Sequence, residues 1–112
     1  MNYEKLVVWS RSKDLAVDVY RKLTSVKDYG FKDQITRSIL SVSSNIAEGA
    51  ERQYSKEKKQ FFAIAKGSIG EFKSQTYVGI EVGYINSEMG NAWLNEAEQI
   101  SKMLGKYIQT IK

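Results

Sequence analysis

Lys32 to Gln53 reads KDQITRSILSVSSNIAEGAERQ, and its apolar positions Ile35, Ile39, Val42, Ile46 and Ala50 recur at steps of four, three, four and four. A helix advances about 100° per residue, so this spacing draws one narrow stripe along one side. It predicts a helix that buries the stripe against facing helices. Upstream, Leu15, Ala16, Val19, Leu23 and Val26 give a first helix from Ser10 to about Lys27, with Arg11, Lys13, Asp14, Asp18 and Arg21 on its other faces. Leu6-Val7-Val8-Trp9 is a short apolar run with no second strand to pair with, which predicts that Trp9 tucks against the bundle. Asp28-Tyr29-Gly30 reads as the break between the two helices.

Downstream, Ser55 is the expected N-cap of a third helix, with Glu57 near its positive end and Lys58 where a capping box would place an acid. Phe61, Ala65, Phe72 and Thr76, flanked by Phe62, Ile64, Ile69 and Ile80, carry it to about Ile85. Asn86-Ser87 and Gly90-Asn91 mark the next break, and Trp93, Ala97, Ile100, Leu104, Ile108 and Ile111 form a fourth seam. Short connections make sequential neighbours antiparallel, so the expected fold is all-α, an up-down-up-down four-helix bundle in a single domain over residues 1–112. Glycines inside the third helix cost up to about 1 kcal/mol each relative to alanine and need a reason. Gly79 and Gly83 fall on the Phe61/Phe72 seam and are expected contact points, while Gly67 and Gly70 have no reason visible in the pattern.

Composition narrows the chemistry. The chain has 112 residues with no cysteine, histidine or proline. Thiolate and imidazole metal sites, disulfides, Cys and Ser-His nucleophiles and histidine acid/base chemistry are therefore excluded. The acids are scattered with no paired motif, so no metal or other cofactor is expected. The opening Met1-Asn2-Tyr3-Glu4-Lys5 lacks a signal-peptide pattern and no stretch has a membrane span's length, which predicts a cytoplasmic protein without a membrane partner. Seventeen Lys and Arg against 13 Asp and Glu give a net charge of +4, a tilt toward polyanions.

Two stretches are candidates for function. Ser38, Ser41, Asn45, Gly49 and Arg52 gather on one flank of the second helix with Glu48 at their edge. Small residues let a neighbour approach while Asn45, Glu48 and Arg52 are expected to hydrogen-bond across the contact; a ligand site or a catalytic site are the alternatives. On the third helix Lys59, Lys66 and Lys73 are spaced by seven, with Lys56 and Tyr77 near the same line. They are expected on the side opposite Phe61 and Phe72, where they form either a solvated face or a phosphate-contacting stripe.

Ser-Val-Ser-Ser-Asn-Ile-Ala-Glu-Gly from Ser41 to Gly49, followed by Arg52, resembles the signature of the four-helix bundle proteins encoded in intervening sequences of bacterial 23S rRNA genes. Leu6-Val7-Val8-Trp9, Asp33-Gln34 before Arg37, Phe62-x-x-Ile-Ala-x-Gly-Ser-x-x-Glu71 and Gly83-Tyr84-Ile85 are also similar to that family's pattern. The resemblance implies a bacterial homopentameric bundle without known enzymatic activity, and gives Ser41, Asn45, Glu48, Gly49, Arg52, Gly67, Ser68 and Glu71 a structural role. The family is in turn similar to the accessory variability determinant of diversity-generating retroelements, which binds nucleic acid and a reverse transcriptase. The chain departs from the pattern at Ser43 and near Tyr29, where proline is common in the family and would bend a helix.

Together these readings predict a non-enzymatic homo-oligomeric adaptor that contacts RNA, DNA or a nucleic-acid enzyme through Lys56, Lys59, Lys66 and Lys73. Five copies at +4 each would make a multivalent surface. The alternative is a purely structural or protein-interaction bundle.

Overall fold

The computed structural model describes residues 2–112. After a short 3-10 turn at Tyr3–Lys5 come α1 (Val7–Lys22), α2 (Tyr29–Glu51), α3 (Ser55–Glu81) and α4 (Ser87–Thr110), with no strand among the described residues. The body measures 43 × 21 × 20 Å, so its long axis is close to the length of one helix. Contacts between side chains fix the directions. Ser38 meets Gln75 and Ser41 meets Ser68, so α2 and α3 run antiparallel. Lys73 meets Glu98 while Phe62 packs edge-on to Tyr107, and Arg11 meets Glu96 while Asp18 meets Trp93, so α4 opposes both α3 and α1.

The expected stripes become the core, except that on α3 Phe62 and Ile69, expected as flanks, are buried and Phe61 is only half-buried, because Phe61 lies about 100° back around the helix from Phe62. Val19, Leu23, Ile35, Ile39, Val42, Ile46, Ile69, Phe72, Ile100 and Leu104 are fully sealed from solvent. Burying side chains of this size contributes roughly 1.5–3 kcal/mol each, which is what orders the chain. The buried hydroxyls fit because each bonds its own helix: Ser12 donates to Val8 O at 2.7 Å and Thr76 to Phe72 O at 2.9 Å. Ser43, at a position where proline would bend the helix, donates to Leu40 O at 3.3 Å inside an unbroken α2.

Several boundaries differ from the sequence expectation. Val7-Val8-Trp9 is not a lead-in but the first turn of α1, and Trp9 packs edge-on to Tyr3 at 5.1 Å between ring centroids. The helix ends at Lys22, not Lys27, and Val26 packs on the core from the turn. Asp28 opens α2 instead of closing α1, because its side chain accepts a hydrogen bond from Phe31 N–H at 3.1 Å. Tyr54, not Ser55, is the N-cap of α3: its carbonyl accepts the first helical bond, from Lys58 N–H. The Lys58 ammonium reaches back to the Ala50 carbonyl at 3.1 Å and caps the end of α2.

The break after α3 is a Schellman turn. Tyr84 N–H donates to Gly79 O and Gly83 N–H to Ile80 O, with Gly83 at φ 86°. Gly83 is therefore required for a left-handed backbone and is not the expected helix contact; a Cβ there would meet nothing within 4 Å. Gly79 is a contact point, since a Cβ would fall 2.5 Å from Ile85 Cδ1 and 2.8 Å from Phe31 Cζ. Gly90 does not break the chain either. It is buried inside α4, and Asn86 alone supplies the cap by accepting from Met89 N–H at 2.8 Å.

Candidate nucleic-acid interface

Lys59, Lys66 and Lys73 do not lie opposite the core seam. A step of seven residues falls about 20° short of two full turns, so the row drifts around α3 toward α4. Lys73 is half-buried and its ammonium donates to Glu98 Oε1 at 2.5 Å. The stem of Lys66 crosses α4 at Gly105, where an added Cβ would sit 3.5 Å from Lys66 Cε. That distance is an ordinary van der Waals contact, so the stem passes over α4 at Gly105 while Lys66 stays exposed. Lys59 and Lys56, nearer the start of α3, are exposed.

The α3–α4 flank gathers more charge than α3 alone offers. Lys102 and Lys106, exposed and one turn apart on α4, join the row, and Lys66, Lys73 and Lys102 all act on Glu98. The hydrogen bond from Lys73, followed by the fields of Lys73, Lys102 and Lys66, holds the Glu98 carboxyl below its ordinary range. Lys66, Lys73 and Lys102 thus gather around one acid, with Lys59 further along α3 and Lys106 further along α4. The apolar seam of α4 does not reveal its two lysines; their separation of four residues on its polar side is the signal the sequence offers.

Across the bundle, the signature residues of α2 meet α3. Ser41 Oγ lies 3.0 Å from Ser68 Oγ, and Ser38 Oγ donates to Gln75 Oε1 at 2.6 Å. At Gly49 the helices pack tightly: a Cβ would be 3.0 Å from Phe61 Cβ and 3.2 Å from Phe62 Cε1. Asn45, Glu48 and Arg52 do not bridge by hydrogen bonds as expected. Asn45 Nδ2 donates to Ser41 O at 2.8 Å and Ser41 Oγ at 2.9 Å, and Arg52 donates to Glu48 at 2.9 Å, all within α2. Separations of four residues make these partners nearest neighbours on one helix, which is why the geometry favours them. Arg52 still reaches α3 by lying 4.7 Å from the Phe61 ring centroid.

Glu71 stands apart from that network. It is exposed and lines a groove of about 340 Å³ with Gln34, Arg37, Ser38, Ser41 and Gln75. Gly67 is exposed with nothing within 4 Å of an added Cβ. The signature therefore divides into a packed part, Ser41, Asn45, Gly49 and Ser68, and an outward part, Gly67 and Glu71.

No group of three or more acids converges as a metal cluster among the described residues, and no described helix is long and apolar enough to cross a membrane. The chain matches the 23S rRNA-intervening sequence protein family over residues 4–106. It is similar to the solved structure of a protein with unknown function from the S23 ribosomal protein family from Bacteroides thetaiotaomicron VPI-5482, at 28% identity and a TM-score of 0.87. That similarity covers 93% of this chain and 100% of the other. No curated protein matches. With 103 of its 112 residues inside the family's pattern and the same bundle in that structure, the chain belongs to the 23S rRNA-intervening sequence protein family.

Proposed function

We propose that this protein is a non-enzymatic, homo-oligomeric adaptor that binds nucleic acid through the α3–α4 flank. The observation that carries the reading is the cluster of Lys66, Lys73 and Lys102 around Glu98, extended by exposed Lys59 along α3 and exposed Lys106 along α4, outside the core. Phosphate neutralisation needs positioned cations and no activated nucleophile, and it releases condensed counterions whatever the base sequence. Lys59, Lys66, Lys102 and Lys106 are exposed and form no ion pair within 4.0 Å among the described residues, so they meet a phosphate without first breaking a salt bridge.

Self-association is supported by what the monomer leaves outside its core. Ile64, Val78 and Val82 are each about half exposed along one outer side of α3 and its C-cap, and Gly67 gives that side a low profile. Exposed apolar side chains beside small residues suit close packing of one copy on another. A ring of copies would repeat the lysine ridge and multiply weak contacts. The test is affinity for mixed RNA and DNA as a function of salt, with oligomer mass measured on the same nuclease-treated preparation. Binding that weakens steeply with salt supports the adaptor reading, and absence of binding at low salt leaves the structural bundle.

A further inference from the structure

A separate groove of about 530 Å³ runs between the end of α1 and the start of α2, lined by Tyr20, Thr24, Tyr29, Lys32, Asp33 and Thr36. That volume is in the range of small-molecule sites. Two aromatic rings face it, and both are open to solvent: Tyr29 is 70% exposed and Tyr20 43%. Neither is needed to fill the core. The Lys32 ammonium lies 4.9 Å from the Tyr29 ring centroid and touches the Thr24 carbonyl at 3.5 Å, with no carboxylate partner.

The surrounding acids are committed elsewhere. Asp33 Oδ2 accepts from Arg37, Asp28 accepts from Phe31 N–H and the Tyr84 hydroxyl, and Asp18 accepts from Lys22 and Trp93. The charge of Lys32 is therefore the unbalanced one in the groove. Thr24 and Thr36 donate their hydroxyl protons to Arg21 O and Lys32 O, which leaves their oxygens, with Asp33 Oδ1, as acceptors. The groove thus offers flat apolar rings, acceptors for N–H groups and one cation. The complement is a flat heterocycle bearing amino N–H groups and an anionic tail.

We propose that this groove binds a nucleotide with an amino-bearing base, the base stacking on Tyr20 and Tyr29 and the phosphate meeting Lys32. Stacking on an aromatic side chain tolerates different bases, and the ammonium supplies a point charge for phosphate. The site lies away from the lysine ridge of α3 and α4 and does not depend on it. The same chemistry is presented by a free mononucleotide and by one unit of a single strand.

The experiment titrates the full chain with AMP, adenosine, inorganic phosphate and a short oligoadenylate, following backbone amide shifts. AMP is expected to shift Tyr20, Thr24 and residues 29–36, adenosine to shift the same amides more weakly, and phosphate alone to leave them in place. Tyr29→Ala, at an exposed position, should weaken AMP by at least about fivefold, while Tyr29→Phe keeps the stack. Lys32→Gln should bring AMP down to the affinity of adenosine, and Lys32→Arg should restore it. A tighter oligoadenylate with the same dependence on Tyr29 assigns the site to a strand, and equal affinities assign it to mononucleotides. Both support the groove. Phosphate binding as well as AMP, shifts confined to other residues, or no AMP binding at millimolar concentration each overturns it. A variant lacking Lys59, Lys66 and Lys73 should still bind AMP, so failure of the ridge and failure of the groove are read separately.

Discussion

Replacing Gly79 and Gly67 by alanine, one at a time, separates packing from propensity on a single helix. Each substitution gains the same intrinsic helix preference, up to about 1 kcal/mol. At Gly67 nothing in the same protomer lies within 4 Å of the new methyl, so within one protomer, and at unchanged oligomer mass, the gain stands alone. At Gly79 the methyl would fall 2.5 Å from Ile85 Cδ1 and 2.8 Å from Phe31 Cζ. Ile85 is 1% exposed and so cannot retreat without disturbing the core, while Phe31 would have to leave its edge-on contact with Tyr84 at 5.2 Å. Overpacking of this kind costs about 1–3 kcal/mol. Because the propensity gain cancels in the comparison, Gly79→Ala should be less stable than Gly67→Ala by that whole amount. With an unfolding entropy near 2.1 cal/mol/K per residue, each kcal/mol moves a chain of this length by about 4 °C, so the melting temperatures should differ by about 4–13 °C. The assay is thermal unfolding by circular dichroism at matched concentration, with oligomer mass recorded for both variants. Equal melting temperatures at equal mass would refute the packing reading of Gly79.

Three further outcomes follow from the same geometry. Asn45→Ala should cost no more than about 1 kcal/mol in chemical denaturation, less than the roughly 1–3 kcal/mol expected had it bridged to another helix, because Ser41 Oγ keeps Ser68 as a partner and alanine favours the helix; a loss above about 2 kcal/mol, or a changed oligomer mass, contradicts this. The hydrogen bond from Arg11 holds the Glu96 carboxyl below its ordinary range, so the stability it supplies is present above that range and is lost as pH falls through the lowered value; the gap in melting temperature between the parent and Glu96→Gln should therefore close in acid, and a gap that stays constant down to acid pH contradicts the pairing. Glu98→Gln should release Lys73 and tighten nucleic-acid binding with a steeper salt dependence, measured by fluorescence anisotropy, whereas weaker binding would place the phosphates elsewhere.

The bundle was legible because each of its seams is carried by aliphatic or aromatic residues at three- and four-residue steps, a pattern that survives any uncertainty about ends. Caps were less legible. Asp28 and Gly30 together look like a stop, and only the bond from Phe31 N–H to Asp28 shows that the aspartate starts the next helix. Gly83 and Gly79 are indistinguishable on a helical wheel, yet one is needed for its positive φ and the other for the space beside Ile85. At the candidate site the α3 lysines were visible as a heptad row. The drift per heptad follows from helix geometry alone, but the pairing of Lys73 with Glu98 was not visible, since it depends on how α4 packs. The groove at Tyr20 and Tyr29 combines residues from two helices whose mutual register is a tertiary property.

The most direct measurement of the central claim is the slope of log affinity against log salt for single-stranded and duplex nucleic acid, comparing the nuclease-treated parent with the variant carrying Lys59→Gln, Lys66→Gln and Lys73→Gln. The account predicts a negative linear slope for the parent that flattens by up to about 0.7 to 0.9 units per lost contact, with Lys73 contributing least because Glu98 already neutralises it, and with unchanged folding. A triple variant that keeps the parent's affinity and slope, or a parent that binds neither form at low salt, would contradict it.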